Sequence, residues 1–226
     1  MRVRQGRAGF TLIELTLAMA FVGILLVATV TVIIQVSNMY SKGVTYKLID
    51  QAGRDLGAAM TRDAENAGNV ANPIVQPTDP AAGGLGRLCL GGYSYLWGDP
   101  AKLRSQNGTA PTYQGTSTDI ILARVADAGG SYCTKGANGT YPTAVSQSQA
   151  TEMLPSDQGD YALQAMQLTV IPTSSQSKLY DISYAIGTNQ AGTITSAVAC
   201  EPPSAATNNF NFCAVHTFDI MVRVGY

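Results

Sequence analysis

The chain has 226 residues, of which 46% are hydrophobic and only 13% charged, about half the charged share of an ordinary soluble domain. That apolar content excludes wholesale disorder, and 14 basic against 15 acidic residues leave no basic excess for gripping nucleic acid. A lone histidine, His216, excludes chemistry built on several imidazoles, and no cofactor is implied.

The first element is set by where charge is missing. Arg2, Arg4 and Arg7 open the chain and Glu14 follows, and then 27 residues from Leu15 to Ser41 carry no charge. About 20 helical residues cross a hydrocarbon core of about 30 Å. Leu15 to Val36 contains 13 Leu, Ile, Val or Phe residues, which together favour insertion by roughly 4 to 8 kcal/mol. The run lacks proline, and Gly23 is tolerated in a membrane helix. The arginines come first, so the N-terminus is expected on the cytoplasmic side with the rest exported. A cleaved secretory signal has an apolar core of only about 7 to 15 residues, with its small-x-small site after the core. Here Ala18-Met19-Ala20 lies near the beginning of the run. Leu12, Leu15, Met19, Val22, Leu26, Val30 and Ile33 line one row, and Leu17, Phe21, Ile24, Leu25 and Val27 cover the others. A helix apolar all round is destined for lipid or for a bundle. Thr29, Thr31 and glycine are its weak points.

Beyond Lys42 the pattern becomes one-sided. Leu48, Ala52, Leu56, Ala59 or Met60, and Ala64 recur at helical spacing, while Asp50, Arg54, Asp55, Arg62, Asp63 and Glu65 fill the remaining face. Asp50 and Arg54 sit four apart, the spacing of a helical ion pair. Gly43, Gly53 and Gly57 predict bending, and Gly68 with Pro73 predicts the end. One helix over about 10–67 is expected: residues 10–41 as anchor, and residues 42–68 as an amphipathic continuation.

Residues 69–226 read as a β-rich exported head. Prolines and glycines from Val70 to Thr118 predict loops with short strands at Leu88–Leu90 and Tyr93–Trp97. The glycines lack the Gly-Lys-Ser/Thr ending of a phosphate loop. Tyr93, Tyr95 and Trp97 read as one strand packing its rings. Strands follow at Asp119–Val125, Tyr161–Ile171, Tyr180–Ile186 and His216–Val224, the last two with clean alternation. One sheet face would cover the helix stripe and the other would be wet. His216, at a strand end, reads as structural. Asn107-Gly108-Thr109 and Asn138-Gly139-Thr140 match glycosylation acceptors but are first turn signals.

The boundary of the apolar run reads Arg7-Ala8-Gly9-Phe10-Thr11-Leu12-Ile13-Glu14-Leu15. This resembles the type IV prepilin signature, and the resemblance covers roughly residues 1–40. It implies a leader, residues 1–9, cut by a prepilin peptidase between Gly9 and Phe10, with N-methylation of Phe10. It implies an α+β, type IV pilin-like fold, in which a long N-terminal helix packs against an antiparallel sheet. Glu14 then has an assembly role. A carboxylate driven to the bilayer centre costs about 2.5–3.5 kcal/mol, and an amine freed at Phe10 could neutralise it. Methylating that amine keeps its charge. Arg54-Asp55-Leu56, Arg62-Asp63 and Ala67-Gly68 further resemble a stretch of PilW-type minor pilins and J-type minor pseudopilins. The chain departs from many major pilins in having no proline within its anchor.

The four cysteines, Cys89, Cys133, Cys200 and Cys213, include no C-x-x-C pair, and in an exported head they should oxidise. Three pairings are possible. Cys200–Cys213 is favoured because its interval is short and rich in Pro, Ser and Asn, which leaves Cys89–Cys133. Without the leader the charge becomes 11 basic (14 − 3) against 15 acidic residues. The function expected is that of a minor pilin, a structural subunit that helps prime a type IV pilus and sits at or near its tip. Its expected partners are the peptidase, other minor and major pilin subunits, and inner-membrane lipid before assembly, with no nucleic acid and no enzymatic activity. A minor pseudopilin of a type II secretion system differs only in the machine it serves. A tip adhesin or DNA-uptake subunit is the binding alternative.

Overall fold

A computed structural model of the chain describes residues 11–67, 74–105, 110–154, 161–171, 178–189, 194–196, 199–200 and 213–224. Its elements in order are α1 (Leu12–Glu65), β1 (Leu85–Leu90), β2 (Tyr93–Gly98), α2 (Pro100–Ser105), β3 (Leu122–Ala126), β4 (Ala150–Leu154), β5 (Tyr161–Ile171), β6 (Lys178–Thr188), β7 (Ile194–Ser196), β8 (Ala199–Cys200) and β9 (Val215–Val224). The class is α+β: one long N-terminal helix with an antiparallel β head. Two compact units divide between Ser41 and Lys42.

In the first unit α1 is apolar and exposed on every side, Leu12 at 81% and Ile33 at 65%. It is long and apolar enough to cross a membrane; its 30 residues to Ser41 would extend about 45 Å. The threonine hydroxyls inside this stretch are satisfied within the helix. Thr16, Thr29 and Thr31 donate to the carbonyls of Ile13, Leu26 and Ala28 at 3.0, 2.9 and 2.8 Å. Each therefore avoids the cost of an unpaired polar group in hydrocarbon.

In the second unit the four-stranded sheet has the order β1-β2-β3-β4, the three-stranded sheet β5-β6-β9, and β7 pairs with β8. All pairings are antiparallel. The β1–β2 hairpin closes through Gly91-Gly92, with Gly91 at φ 60°, the positive φ that a two-residue loop requires. A Cβ on Gly91 would also lie 2.8 Å from Ala67 Cα, so glycine lets the hairpin abut the chain just past α1.

Several expectations are corrected here. The buried stripe of α1 is Ile49, Gly53, Leu56, Gly57, Ala59, Met60, Asp63 and Ala64. Leu48 remains 43% exposed, so the stripe is rotated from the expected one at its start. Asp63 belongs to the buried face, not the wet one. The helix ends at Glu65 rather than at residue 67, while Gly68 and Pro73 lie outside the described residues. Gly53 and Gly57 do not weaken an exposed helix; they make room. A Cβ on Gly53 would sit 2.0 Å from Phe218 Cζ, and one on Gly57 2.7 Å from Tyr184 Oη. Tyr184 and Phe218 face each other across β6 and β9 with rings stacked at 5.2 Å.

The four-stranded sheet has no wet face. On one side Leu88, Leu90, Tyr95, Trp97, Leu122 and Leu154 pack with Leu56, Met60 and Ala64 of α1. On the other, Leu85, Leu96, Ala123 and Val125 pack under Tyr113, Ile120 and Val145. The second layer comes from loops around the sheet, whose irregular backbone carries no periodic signal. β4 and α2 were likewise not anticipated, being five and six residues of mixed polarity.

Candidate functional site

Two places concentrate polar chemistry. The first is the start of α1. Thr11 precedes the helix, and its hydroxyl accepts the Glu14 N–H at 3.3 Å. Glu14 reciprocates: its Oε2 accepts the Thr11 hydroxyl at 3.1 Å and the Thr11 N–H at 3.3 Å. This is a capping box, two donors at the open end of a helix satisfied by each other's side chains. The carboxylate also lies at the positive end of the helix dipole. The signal lies in the sequence itself, as Thr11-Leu12-Ile13-Glu14 before an apolar run, a pattern that charge and hydropathy alone pass over. Glu14 thus has a structural task independent of any partner. Gly9 and Phe10, the residues of the expected cleavage, lie outside the described residues.

The second place ties the end of α1 to the four-stranded sheet. Asp63 is 4% exposed and accepts three short hydrogen bonds. Arg124 of β3 donates through Nε at 2.6 Å and Nη2 at 2.7 Å, a two-pronged fork. Tyr95 of β2 donates its hydroxyl at 2.6 Å. Burial, together with the bond to Asp63, pushes the Tyr95 hydroxyl far above the ordinary phenol range. The Arg124 guanidinium lies 3.4 Å from the Tyr93 ring centroid and is held above its usual range, chiefly by the Asp63 bond. A buried ion pair of this kind survives because both carboxylate oxygens have donors. Tyr95 and Trp97 do pack their rings in the core, but Tyr93 serves Arg124. Nearer the start of this helical stretch, Asp50 receives Arg54 at 2.7 Å and approaches His216 Nδ1 at 3.4 Å. His216 also lies against Phe218, with ring centroids 4.5 Å apart.

The outer layer of the head has its own fasteners. The structure joins Cys89 to Cys133 and Cys200 to Cys213. Arg87 is fully buried and donates to the carbonyls of Ala82, Leu85, Tyr132 and Pro142 at 2.8 to 3.4 Å. Burial pulls its guanidinium down to about 10. Asp127 accepts from the Ser94 hydroxyl at 2.6 Å, from the Ser131 N–H and hydroxyl, and from the Tyr132 N–H. Burial alone would raise the Asp127 carboxyl; those four donors outweigh it and hold the group below its ordinary value. Neither Arg87 nor Asp127 is legible in the sequence, since the backbone groups around Arg87 and the hydroxyls and N–H groups around Asp127 are gathered only by the fold. Among the described residues no three His, Cys, Asp or Glu side chains come together as a metal would need.

These features define a class: a single apolar helix leading into a disulfide-fastened α+β head. No family model matches the chain, and no curated protein or solved structure is significantly similar to it.

Proposed function

We propose that the chain is a minor pilin, a membrane-stored subunit of a type IV pilin-like filament. The observation that carries this reading is the capped beginning of α1. A helix exposed and apolar on all sides starts at the Thr11–Glu14 box, immediately after Gly9-Phe10 and a leader with three arginines. A surface of this kind suits two solvents, first lipid and then neighbouring helices.

In this reading a peptidase removes residues 1–9 and leaves an ammonium at Phe10. Glu14 is then the nearest carboxylate along the chain. Its charge would be costly among apolar helices unless paired. Pairing with an amine, in its own chain or in a staggered neighbour, favours one axial register. The exported head, built on residues 42–65 of the same helix, is what the assembled filament would display. The work of moving the helix out of lipid belongs to other components.

The test is chemical. The chain is expressed in full with an active prepilin peptidase, and the product is analysed by N-terminal sequencing and intact mass. The expected product begins at Phe10 and carries one methyl group. A product that still begins at Met1 beside a processed control substrate overturns the proposal. Deleting the gene and scoring surface pili against secreted proteins then separates a pilus subunit from a secretion pseudopilin.

A further inference from the structure

Cys89 and Cys133 are held together twice, once by their disulfide and once without it. Cys89 lies on β1, Cys133 ends the short 3-10 turn Ser131–Cys133, and 44 positions separate them. Asp127 joins the two elements and is 7% exposed. Its backbone N–H donates to the Gly92 carbonyl, in the β1–β2 loop, at 2.8 Å. Its carboxylate accepts from Ser94, the residue that faces Cys89 across β1 and β2. The same carboxylate accepts from the Ser131 hydroxyl at 2.8 Å and from the N–H groups of Ser131 and Tyr132 at 2.9 and 3.0 Å. Arg87, two residues before Cys89 on β1, donates to the Tyr132 carbonyl at 3.1 Å. The residue before Cys133 is thus gripped at both its N–H and its carbonyl. The Cys133 N–H itself donates to the Gly130 carbonyl at 3.0 Å. None of these bonds uses sulfur.

Ser94 Oγ lies 2.9 Å from Cys89 Sγ. A hydroxyl has one proton, and Ser94 gives it to Asp127 Oδ2 at 2.6 Å. A disulfide sulfur has no proton, so none bridges Sγ and Oγ while the bond is closed. A Cys89 thiol would supply one and complete a chain from Cys89 S–H through Ser94 to Asp127. The surroundings therefore suit the reduced residue as well as the bonded one. We propose that Asp127 is a positioning residue for closure of the Cys89–Cys133 disulfide. It holds the 131–133 turn against β1 before oxidation, so this bond closes, and closes again after reduction, within the folded head. In closure a low-molecular-weight disulfide takes up two electrons. One protein thiolate attacks it and expels a first small thiol. The other protein thiolate attacks the resulting mixed disulfide, forms the protein S–S bond and expels the second. The two protein thiol protons end on the two small thiols. Holding the sulfurs close removes part of the loop entropy that closure otherwise costs. The device concerns the head alone and does not depend on the filament reading.

The test uses the full chain in detergent. It is equilibrated with reduced and oxidised glutathione at a series of ratios and quenched by alkylation, and its four cysteines are mapped by mass spectrometry. Equilibrium does not depend on the route by which buried sulfurs meet the reagent. Cys200–Cys213 is the internal reference, since the side-chain bonds of Asp127 go to Ser94, Ser131 and Tyr132. Asp127→Ala should lower the closing constant of Cys89–Cys133 about tenfold and leave that of Cys200–Cys213 unchanged. Ser131→Ala removes one of the four donors and should lower the same constant about threefold; this milder variant decides the matter if Asp127→Ala does not fold. The proposal is overturned if the Cys89–Cys133 constant stays where it was. It also fails if both pairs weaken by the same factor, which would mean that Asp127 acts only through overall stability. Finding Cys89 joined to Cys200 or Cys213 in the reoxidised, unaltered chain would overturn it as well.

Discussion

Tyr184 donates its hydroxyl to the backbone carbonyl of Gly53 at 2.7 Å, a contact between residues 131 positions apart. It is possible because the helix has no side chain there. The carbonyl keeps its own helical role, since an oxygen can accept two bonds. Burial raises the Tyr184 hydroxyl well above the ordinary phenol range, so this donor stays protonated at any physiological pH. The Gly53 and Gly57 stripe is a docking track for the aromatic pair on β6 and β9.

Gly53→Ala should therefore destabilise the head by about 1–3 kcal/mol, the usual cost of overpacking. The Phe218 ring has no room to accept a methyl. Gly43→Ala should do the opposite. Its Cβ would meet nothing within 4 Å, and alanine is favoured over glycine in a helix by about 1 kcal/mol. Thermal unfolding of the two variants, followed by circular dichroism, should move the midpoint in opposite directions.

Asp63→Asn leaves the Arg124 guanidinium half-enclosed without its carboxylate. Removing one member of a buried pair typically costs about 3–5 kcal/mol. Asp50→Asn weakens only surface contacts, to Arg54, whose side chain is 76% exposed, and to His216 Nδ1 at 3.4 Å, and should change stability by less than about 1 kcal/mol. Denaturant midpoints for the two variants check the contrast. Equal losses would mean that Asp63 is not the tie between helix and sheet.

The acid limb of the stability curve should carry the mark of Asp127. Its folded carboxyl is held below its ordinary value by four donors. The unfolded chain therefore takes up its proton first as pH falls. The stabilisation is fully present above the ordinary carboxylate range and is lost as pH drops through the lower folded value. Asp127→Asn should flatten this part of the curve, measured as unfolding free energy from neutral pH to about pH 3. A curve parallel to that of the unaltered chain would count against the assignment.

Glu14→Gln separates two tasks that Glu14 could perform. Glutamine can complete the capping box, so the helix should begin where it does now. The charge is lost, however. On the filament proposal the variant should insert in the membrane and be processed normally, yet fail to enter filaments. The readout is its amount in sheared filaments against its amount in membranes. Normal incorporation would show that the charge has no assembly role.

The long apolar helix was legible from residue order alone. A run of 27 residues without charge, between Glu14 and Lys42, states its apolar character locally, and no distant partner can alter it. Strands with period-two alternation, at Lys178–Thr188 and Val215–Val224, were legible for the same reason. The capping box was equally local and readable from Thr11 and Glu14. The fate of Asp63 was of another kind. On its own helix it looks like one more surface acid beside Arg62. Only the arrival of β2 and β3, with Tyr95 and Arg124 up to 61 positions away, turns it into a buried tie. Gly53 and Gly57 likewise read as flaws until Tyr184 and Phe218 come down on them. Local period and charge are written along the chain, whereas burial is decided by which surfaces meet, and that is a property of the tertiary fold.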